Sequence, residues 1–434
     1  MISKRISVDE GTASAKALPS NGIAQEDFGV CESVAKMPPA EIQVGLLTGG
    51  FDRPYAFGIA TALASKGVSL DVIGSDEVDS PEMHTTPKLN FLNIQGDPRE
   101  TVGLVKKLLR ILQFYVRLIG YAARSKAKVF HILWNNKVHL FDRTLLMLYY
   151  KLLGKKIVFT AHNVNAGRRD GNDSALNRWS LKVQYRLADH IFVHTQSMQD
   201  ELVEEFGIRK GAVTVIPFGI NNAVPHTDIS PAEAKERLGI PPGARTILFF
   251  GAIRPYKGLE HLVAAFQQVA PKDAGYRLII AGEPKKDSLD YLRDIQETIA
   301  SDSSRDQIIQ ELGFIPDSET ELYFKAADVL VLPYTLVFQS GVLFLAYSFG
   351  LPVIAADVGS FVDDIIPGET GYLCRSCDPT DLCGAIETYF ESDLFKSLDR
   401  RRQGIRDYAT ARNSWDVVAD KTCHVYAELL ESHS

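Results

Sequence analysis

Two cations follow a buried strand in the stretch ILFFGAIRPYKG, residues 247 to 258. Gly251 ends the apolar run, Arg254 and Lys257 come next, and Gly258 precedes an apolar-periodic helix. A helix start offers free backbone N–H groups and the positive end of the helix dipole, so it attracts anions. The combination predicts a diphosphate site in which Arg254 and Lys257 act on the anion. A loop carrying two solvated cations is the alternative interpretation.

A second helix start in the same half of the chain carries a serine. Gln339, Ser340 and Gly341 precede an apolar helix that begins at Val342. The serine hydroxyl and the first backbone N–H groups can donate hydrogen bonds to phosphate oxygens, although Ser340 could also be a simple helix cap. Two anion-seeking loops in one domain favour a nucleoside diphosphate as the ligand.

The first half of the chain offers fewer reactive residues. Gly49 and Gly50 follow the first buried strand, where they would let the backbone approach a ligand or simply form a turn. His162 follows another strand and reads either as a site residue or as a hydrogen-bonded structural histidine. The opening lacks the dinucleotide fingerprint G-x-G-x-x-G, so neither NAD nor FAD is expected.

These residues all follow strands that alternate with helices, which predicts parallel sheets covered by helices on both faces. Ligands of such sheets bind at the carboxyl ends of the strands. The predicted fold class is α/β, with two doubly wound Rossmann-like domains facing a cleft. The predicted parts are a disordered tail (1–40), a first domain (41–222), a linker (223–245), a second domain (246–412) and a closing helix (413–434) that packs toward the first domain.

Composition narrows the functional classes. The net charge of −7 argues against a nucleic-acid binder, and 45% apolar residues are typical of a globular protein. Five cysteines without a signal peptide indicate a reducing, cytoplasmic setting. Cys374, Cys377 and Cys383 lie close together, but no second pair or nearby histidine completes a zinc set. Neither a metal nor another cofactor is predicted.

One segment is basic within this acidic chain. Residues 103 to 138 contain no acidic side chain, and Lys106, Lys107 and Arg110 lie among leucines that repeat at helical spacing. Such a basic amphipathic helix can lie on an anionic lipid surface, whereas a core-packed helix with a solvated basic face is the alternative. We therefore expect a cytoplasmic protein that associates peripherally with the inner face of the cell membrane.

The second domain resembles the donor domain of GT-B glycosyltransferases of the family 4 type. The resemblance rests on FFGAIRPYKGLEHLVAAF, the IIAGE strand end, LGFIPDSETELYFKAADVLVLPY and GLPVIAADVGSFVDDIIPGETGYL. The first domain is similar more loosely, through LLTGGFDRPYAFGIATALASKG, FTAHN, VHTQSM and VIPFGIN. The resemblance implies that the first domain binds the acceptor and the second domain binds the donor.

The resemblance also implies roles for individual residues. Arg254 and Lys257 would grip the donor diphosphate without a metal, and His162 would sit near the transferred sugar. The resemblance implies that Gly49, Gly50, Gly282, Phe314 and Ile315 bind the donor. The two anion-seeking loops add Gly251, Gln339, Ser340, Gly341 and Val342 to the expected donor-binding residues.

The chain departs from the family pattern at three positions. Ala252 stands where the family has an arginine, and Val337 and Leu345 stand where it has two glutamates that contact sugar and ribose. The chain therefore resembles a subgroup with Gln-Ser-Gly in place of the paired glutamates. These departures leave the sugar and ribose contacts, and retention of stereochemistry, as open points.

The expected function is transfer of a sugar from a UDP- or GDP-linked donor to an acceptor hydroxyl. The basic helix favours a lipid-linked saccharide in polysaccharide or glycolipid synthesis as the acceptor. A non-catalytic nucleotide-sugar-binding protein and a GT-B sugar-phosphate epimerase are the alternatives. If the reaction inverts stereochemistry, His162 or Asp52 is the candidate base.

Overall fold

The computed structural model describes residues 42–97, 103–169, 173–220 and 224–431. The predicted disordered tail lies outside these residues. The strands are β1 (Gln43–Leu47), β2 (Ser69–Gly74), β3 (Leu89–Asn93), β4 (Val129–Ile132), β5 (Lys156–Thr160), β6 (His190–Val193), β7 (Val213–Val215), β8 (Arg245–Phe250), β9 (Tyr276–Ala281), β10 (Ile308–Glu311), β11 (Val329–Leu332), β12 (Val353–Ala356) and β13 (Gly371–Cys374).

Helices connect nearly every pair of strands. They are α1 (Arg53–Ser65), α2 (Pro81–Thr85), α3 (Leu104–Arg124), α4 (His139–Phe141), α5 (Met147–Leu152), α6 (Ala166–Arg169), α7 (Ala175–Leu187), α8 (Gln196–Glu204), α9 (Pro231–Arg237), α10 (Leu259–Val269), α11 (Leu289–Ala300), α12 (Asp317–Ala326), α13 (Gly341–Ser348), α14 (Phe361–Asp364), α15 (Pro379–Glu391), α16 (Asp393–Lys396), α17 (Leu398–Asn413) and α18 (Trp415–Glu431). A π-helical turn (Asp142–Leu146) joins α4 to α5, and a 3₁₀ turn (Pro255–Lys257) precedes α10.

The strands form two parallel sheets. The first has the order β3-β2-β1-β4-β5-β6-β7, and the second has the order β10-β9-β8-β11-β12-β13. In β8, Ile247 and Phe249 enter one apolar cluster while Leu248 enters the other. This alternation covers both faces, as a doubly wound sheet requires. The predicted α/β fold is confirmed, while the predicted domain limits remain predictions.

Strand order reverses once in each sheet, between β1 and β4 and between β8 and β11. A crevice opens at such a reversal, because the connections leave the two strands on opposite faces of the sheet. The loop with Gly49 and Gly50 follows β1, and the loop with Arg254 and Lys257 follows β8. The segment that ends at Ser340 follows β11. These three segments therefore lie at the two reversals, whereas His162 follows β5 and Phe314 follows β10.

The last helix crosses back to the first sheet, because α18 packs against α1. Trp415 and Tyr426 belong to the same apolar cluster as Tyr55 and Ile59 of α1. Within the described part of the chain, no helix is long and apolar enough to cross a membrane.

Candidate active site

Two glycine loops meet where β8 and β9 end. Gly251 and Gly282 have φ angles of 103° and 153°, which glycine adopts far more readily than other residues. A Cβ on Gly282 would lie 2.0 Å from the Gly251 carbonyl oxygen, so only glycine allows this approach. Backbone therefore packs directly against backbone after these two strands, with Gly251 half-buried and Gly282 buried.

Lys257 reaches back from the 3₁₀ turn to this bare backbone. It is 7% exposed, and its ammonium lies 5.2 Å from the centre of the Tyr334 ring, a cation–π contact. A Cβ on Gly251 would lie 3.1 Å from Lys257 Nζ and 3.5 Å from Val342 Cγ2. The ammonium thus lies beside the first turn of α13, where the helix dipole is also positive. Arg254 is half-buried in the same loop.

The segment before α13 contains buried polar atoms without partners. Ser340 occupies the N-cap position, yet its side chain makes no capping hydrogen bond. Gln339 Oε1 and the Tyr334 hydroxyl are buried and unpartnered in the described part of the chain. Burial raises the pKa of Tyr334 to about 12, and the nearby Ser340 hydroxyl opposes that shift. Buried polar atoms are normally hydrogen-bonded, so these atoms are suited to a polar ligand.

Gly49 and Gly50 form a second bare loop, after β1. Both have left-handed φ angles, 67° and 82°. A Cβ on Gly49 would lie 2.8 Å from Trp134 Cβ, and a Cβ on Gly50 would overlap Gln95 Oε1 at 1.7 Å. The neighbours of this loop therefore require glycine at both positions.

His162 lies in an aromatic cluster at the end of β5. Its ring stacks on Trp134 at 4.2 Å with an interplanar angle of 5°, and the edge of Tyr55 contacts it at 4.6 Å. His162 Nδ1 lies 3.0 Å from Nε2 of His194, while His162 Nε2 is buried and has no partner among the described residues. Burial and the neighbouring histidines hold the pKa of His162 well below its ordinary value, so the ring is neutral at pH 7.

Phe218 connects this cluster to the loop before α13. Its ring centre lies 5.1 Å from His194 and 6.2 Å from His162 on one side, and it stacks on Phe344 at 6.0 Å on the other. A Cβ on Gly341 would lie 3.4 Å from Phe218 Cε1. Phe218 therefore links the histidine pair to the start of α13, next to the cleft predicted between the two sheets.

Two family models match the two halves of the chain. The model described as "Glycosyltransferase Family 4" matches residues 54–224, and the model described as "Glycosyl transferases group 1" matches residues 244–392. The second match contains the reversal between β8 and β11, and the first match begins just after the loop of Gly49 and Gly50. The chain belongs to the family 4 glycosyltransferases.

Relatives and solved structures agree with this membership. The D-inositol 3-phosphate glycosyltransferase of Corynebacterium efficiens is 25% identical, over 89% of this chain and 92% of its own. Sucrose-phosphate synthase from Thermosynechococcus elongatus superposes with a TM-score of 0.72 at 20% identity, covering 90% of this chain and all of its own. HepE from Anabaena, solved with UDP and glucose, gives 0.71 at 15% identity, covering 89% and 100%. The fold is GT-B, and the predicted enzyme class is confirmed.

The glycosyltransferase buries the two positions at which the resemblance expects glutamates. Val337 and Leu345 are 7% and 6% exposed, and both belong to the apolar core of the second sheet. A carboxylate there would be desolvated without a partner, which is costly. The contacts that the resemblance assigns to glutamates therefore remain a prediction, and Gln339 Oε1, which is buried without a partner among the described residues, lies in this segment.

Phe314 and Ile315 lie after β10, the edge strand of the second sheet. Phe314 is 62% exposed and Ile315 packs against the core. This position lies two strands away from Lys257. The predicted contact of these residues with the nucleotide base remains a prediction, as do the other residue roles.

Asp52 borders the glycine loop after β1. Its backbone is left-handed, with φ 56° and ψ 61°, and its carboxylate accepts a hydrogen bond from the N–H of Tyr55, capping α1. Asp52 as a whole is exposed to solvent, whereas the protein around its carboxyl raises the pKa of that group to about 6, mainly through desolvation. A carboxyl with that pKa can exchange a proton near neutral pH.

Sequence analysis missed four residues of the aromatic cluster: Tyr55, Trp134, His194 and Phe218. A signal was present, because Trp134, His194 and Phe218 each follow a strand of the first sheet closely. Neighbouring parallel strands bring such residues to one edge.

Proposed function

We propose that this glycosyltransferase transfers a sugar from a UDP- or GDP-linked donor to a hydroxyl of a lipid-linked acceptor at an anionic membrane. A nucleotide donor is supported by structural neighbours solved with UDP and with UDP-glucose. The acceptor class rests on one observation: an exposed apolar and basic helix adjoins the glycine loop of the cleft.

The donor half of the proposal follows from charge. Breaking the anomeric C–O bond leaves negative charge on the diphosphate. Lys257 Nζ, Arg254 and the backbone N–H groups at the start of α13 would stabilise that charge in a site shielded from water. Because the charge grows toward the transition state, these contacts lower the barrier more than they strengthen donor binding.

The α3 helix exposes a continuous apolar stripe. Its members recur at helical spacing and each is about 60% exposed or more: Val105, Leu108, Leu109, Leu112 and Val116. The opposite side of the helix packs into the core through Phe114, Leu118 and Ala122. Lys106, Lys107 and Arg117 are exposed on the same helix. The helix that the sequence predicts to be amphipathic therefore has an apolar face that does not pack into the core.

Two neighbouring helices extend this surface. Leu145, Leu148 and Leu152 are exposed along the π turn and α5. The α5 helix lies beside α3, because the Tyr149 hydroxyl donates a hydrogen bond to Ile119 O at 3.2 Å. Leu176 and Trp179 are exposed on α7, which Arg143 ties to the π turn. Such a broad apolar surface on a monomer marks an interaction site. Flanking lysines in an acidic protein favour anionic lipid as the partner.

The proposed membrane surface reaches the cleft. Arg110 of α3 and Lys137 line a small cleft together with Gln95, the residue that packs against Gly50. Lys107 and Arg110 also help to lower the pKa of Lys137, after burial as the main cause. An acceptor held in the bilayer beside α3 would therefore extend its saccharide toward Gly49 and Gly50.

Vesicle co-sedimentation tests this proposal. We expect binding to vesicles of phosphatidylglycerol and phosphatidylcholine, and little binding to phosphatidylcholine alone. Charge reversal at Lys106 and Lys107 should weaken binding roughly thirty-fold or more, since each basic residue contributes about 1 kcal/mol. Leu108→Ser with Leu112→Ser should do the same by removing inserted apolar area.

Leu289→Ser is the matched control, because Leu289 is an exposed leucine of the second sheet's α11. Its vesicle binding should equal that of the unmodified protein. Membrane insertion should also shift the emission of Trp179 to shorter wavelength, and Trp179→Phe should remove that shift. Absence of binding to anionic vesicles, or transfer to a vesicle-borne acceptor that the α3 variants leave unchanged, would contradict the proposal.

A further inference from the structure

Two histidines face each other at the carboxyl ends of neighbouring parallel strands, β5 and β6. His194 Nε2 lies 3.0 Å from His162 Nδ1. On its other side, His194 Nδ1 lies 3.3 Å from the carbonyl oxygen of Ile216. The three groups form a hydrogen-bonded row that ends at the unpartnered Nε2 of His162.

The chemistry of these groups fixes the direction of each hydrogen bond. A carbonyl oxygen only accepts, so His194 Nδ1 must carry the proton of that bond. Burial lowers the pKa of His194 to about 4, so the ring is neutral and its Nε2 is an acceptor. His162 must then donate from Nδ1, which leaves its own Nε2 with a lone pair.

The surrounding rings fix the plane of the His162 imidazole, and the hydrogen bond to His194 fixes which edge faces it. His162 is held by its stack on Trp134 and by the edge of Tyr55, while Tyr55 and Phe218 also contact His194. A ring flip of His162 would turn Nδ1 away from its partner. The protein thus presents a buried acceptor nitrogen near the cleft, with no protein donor to satisfy it among the described residues.

We propose that His194 is a positioning residue for glycosyl transfer, which holds His162 in the Nδ1–H tautomer so that His162 Nε2 accepts a hydrogen bond from a substrate hydroxyl. This inference rests on glycosyl transfer, and it does not depend on the proposed membrane acceptor. Without His194, the neutral ring of His162 can protonate at Nε2 instead, and the acceptor is lost.

Two substitutions separate positioning from packing. His194→Phe keeps a planar ring but removes the acceptor, so kcat/KM for sugar transfer should fall about ten- to a hundred-fold, the effect of one orphaned polar group. His194→Gln can still accept from His162 Nδ1, so it should retain most of the activity. His190→Phe is the control, since it removes a buried imidazole from the opposite end of the same strand.

The tautomer itself is the decisive readout. In ¹⁵N-histidine-labelled protein, with His162→Gln used for assignment, the unmodified His162 should show Nδ1 protonated and Nε2 bare. In His194→Phe the signals should move toward the opposite tautomer, and adding His162→Phe should cause little further loss of activity. A protonated Nε2 in the unmodified enzyme, or unchanged transfer by a folded His194→Phe variant, overturns the proposal. If His194→Phe does not fold, the tautomer of the unmodified protein and the activity of His194→Gln decide.

Discussion

At the scale of single residues, Lys257 carries most of the proposed chemistry. A buried ammonium is costly unless negative charge or hydrogen-bond acceptors face it. Lys257 lies beside bare glycine backbone, the face of Tyr334 and the first turn of α13. A diphosphate placed there would meet a cation that is already desolvated and oriented, which strengthens their interaction.

Replacing Lys257 by methionine tests this role while keeping the volume of the side chain. We expect kcat to fall roughly a hundred- to a thousand-fold, as when one stabilising donor is removed from a site of developing charge. KM for the donor should change less, because the contact strengthens as the bond breaks. Steady-state kinetics with a nucleotide-sugar donor measures both quantities.

Lys272→Met is the control, since Lys272 is an exposed lysine paired with Glu387. An equal loss in both variants, or a Lys257→Met enzyme with unchanged kcat, would remove Lys257 from the mechanism.

The residue types at strand ends made much of this site predictable. Lys257, Gly251, Gly282 and the segment before α13 were named because parallel sheets collect ligands at that edge. His194 was not named, since its role depends on a hydrogen bond to a residue 32 positions away. A sequence shows that two histidines follow strands but does not show that those strands are neighbours.

At the scale of elements, the donor site depends on two loops whose backbones nearly touch. The approach between Gly282 and Gly251 leaves no room for a side chain. The loop after β9 therefore sets the position of the loop after β8, and with it the start of the turn that carries Arg254 and Lys257.

Gly282→Ala should therefore weaken donor binding without touching a charged group. Its Cβ would collide with backbone at 2.0 Å, and its φ of 153° strains an alanine. We expect at least a ten-fold rise in the Kd for UDP or GDP, measured by calorimetry. Gly313→Ala is the matched control: it also follows a strand, but its Cβ would meet nothing within 4 Å. If the two variants bind nucleotide equally well, the contact between the loops has no role in donor binding.

Whether a segment forms a helix or a strand was easier to predict from the sequence than whether it is buried or exposed. The alternation of apolar strands and helices gave both sheets, but β3 was missed, because LNFLN lies at the sheet edge and stays largely accessible to water. The α3 helix was predicted from its spacing. The sequence could not show whether its leucines face the core or the solvent, since leucines repeat at the same spacing on a helix that packs against protein and on one that contacts lipid.

At the scale of the whole molecule, the chain returns from the second sheet to the first between α17 and α18. The α17 helix packs on α13, and the chain then runs beside residues 218–220. There, Asn413 Nδ2 donates a hydrogen bond to Phe218 O at 3.0 Å, and the Trp415 indole donates one to Ile220 O at 2.8 Å. The indole then contacts Tyr55, whose edge meets His162. Packing of the last helix is thus continuous with the aromatic cluster of the cleft.

Trp415 fits between two glycines from different elements, which no local pattern in the sequence reveals. A Cβ on Gly58 of α1 would lie 2.1 Å from the indole, and a Cβ on Gly219 would lie 2.4 Å from it. Trp415→Ala should lower the free energy of unfolding by about 3–5 kcal/mol, measured by urea denaturation. It should also reduce transfer, because the cavity borders Tyr55.

The contact between Gly58 and Trp415 predicts that Gly58→Ala changes the free energy of unfolding in opposite directions with and without the indole. In the unmodified protein, Gly58→Ala should destabilise the fold, since the new methyl group and the indole cannot share the space. In the Trp415→Ala background that space is free, and alanine is the better helix former by about 1 kcal/mol. Gly58→Ala should then stabilise the fold, measured in the same denaturation experiment. Additive effects of the two substitutions would mean that α18 does not hold Trp415 against α1, and the proposed coupling between the last helix and the cleft would fail with it.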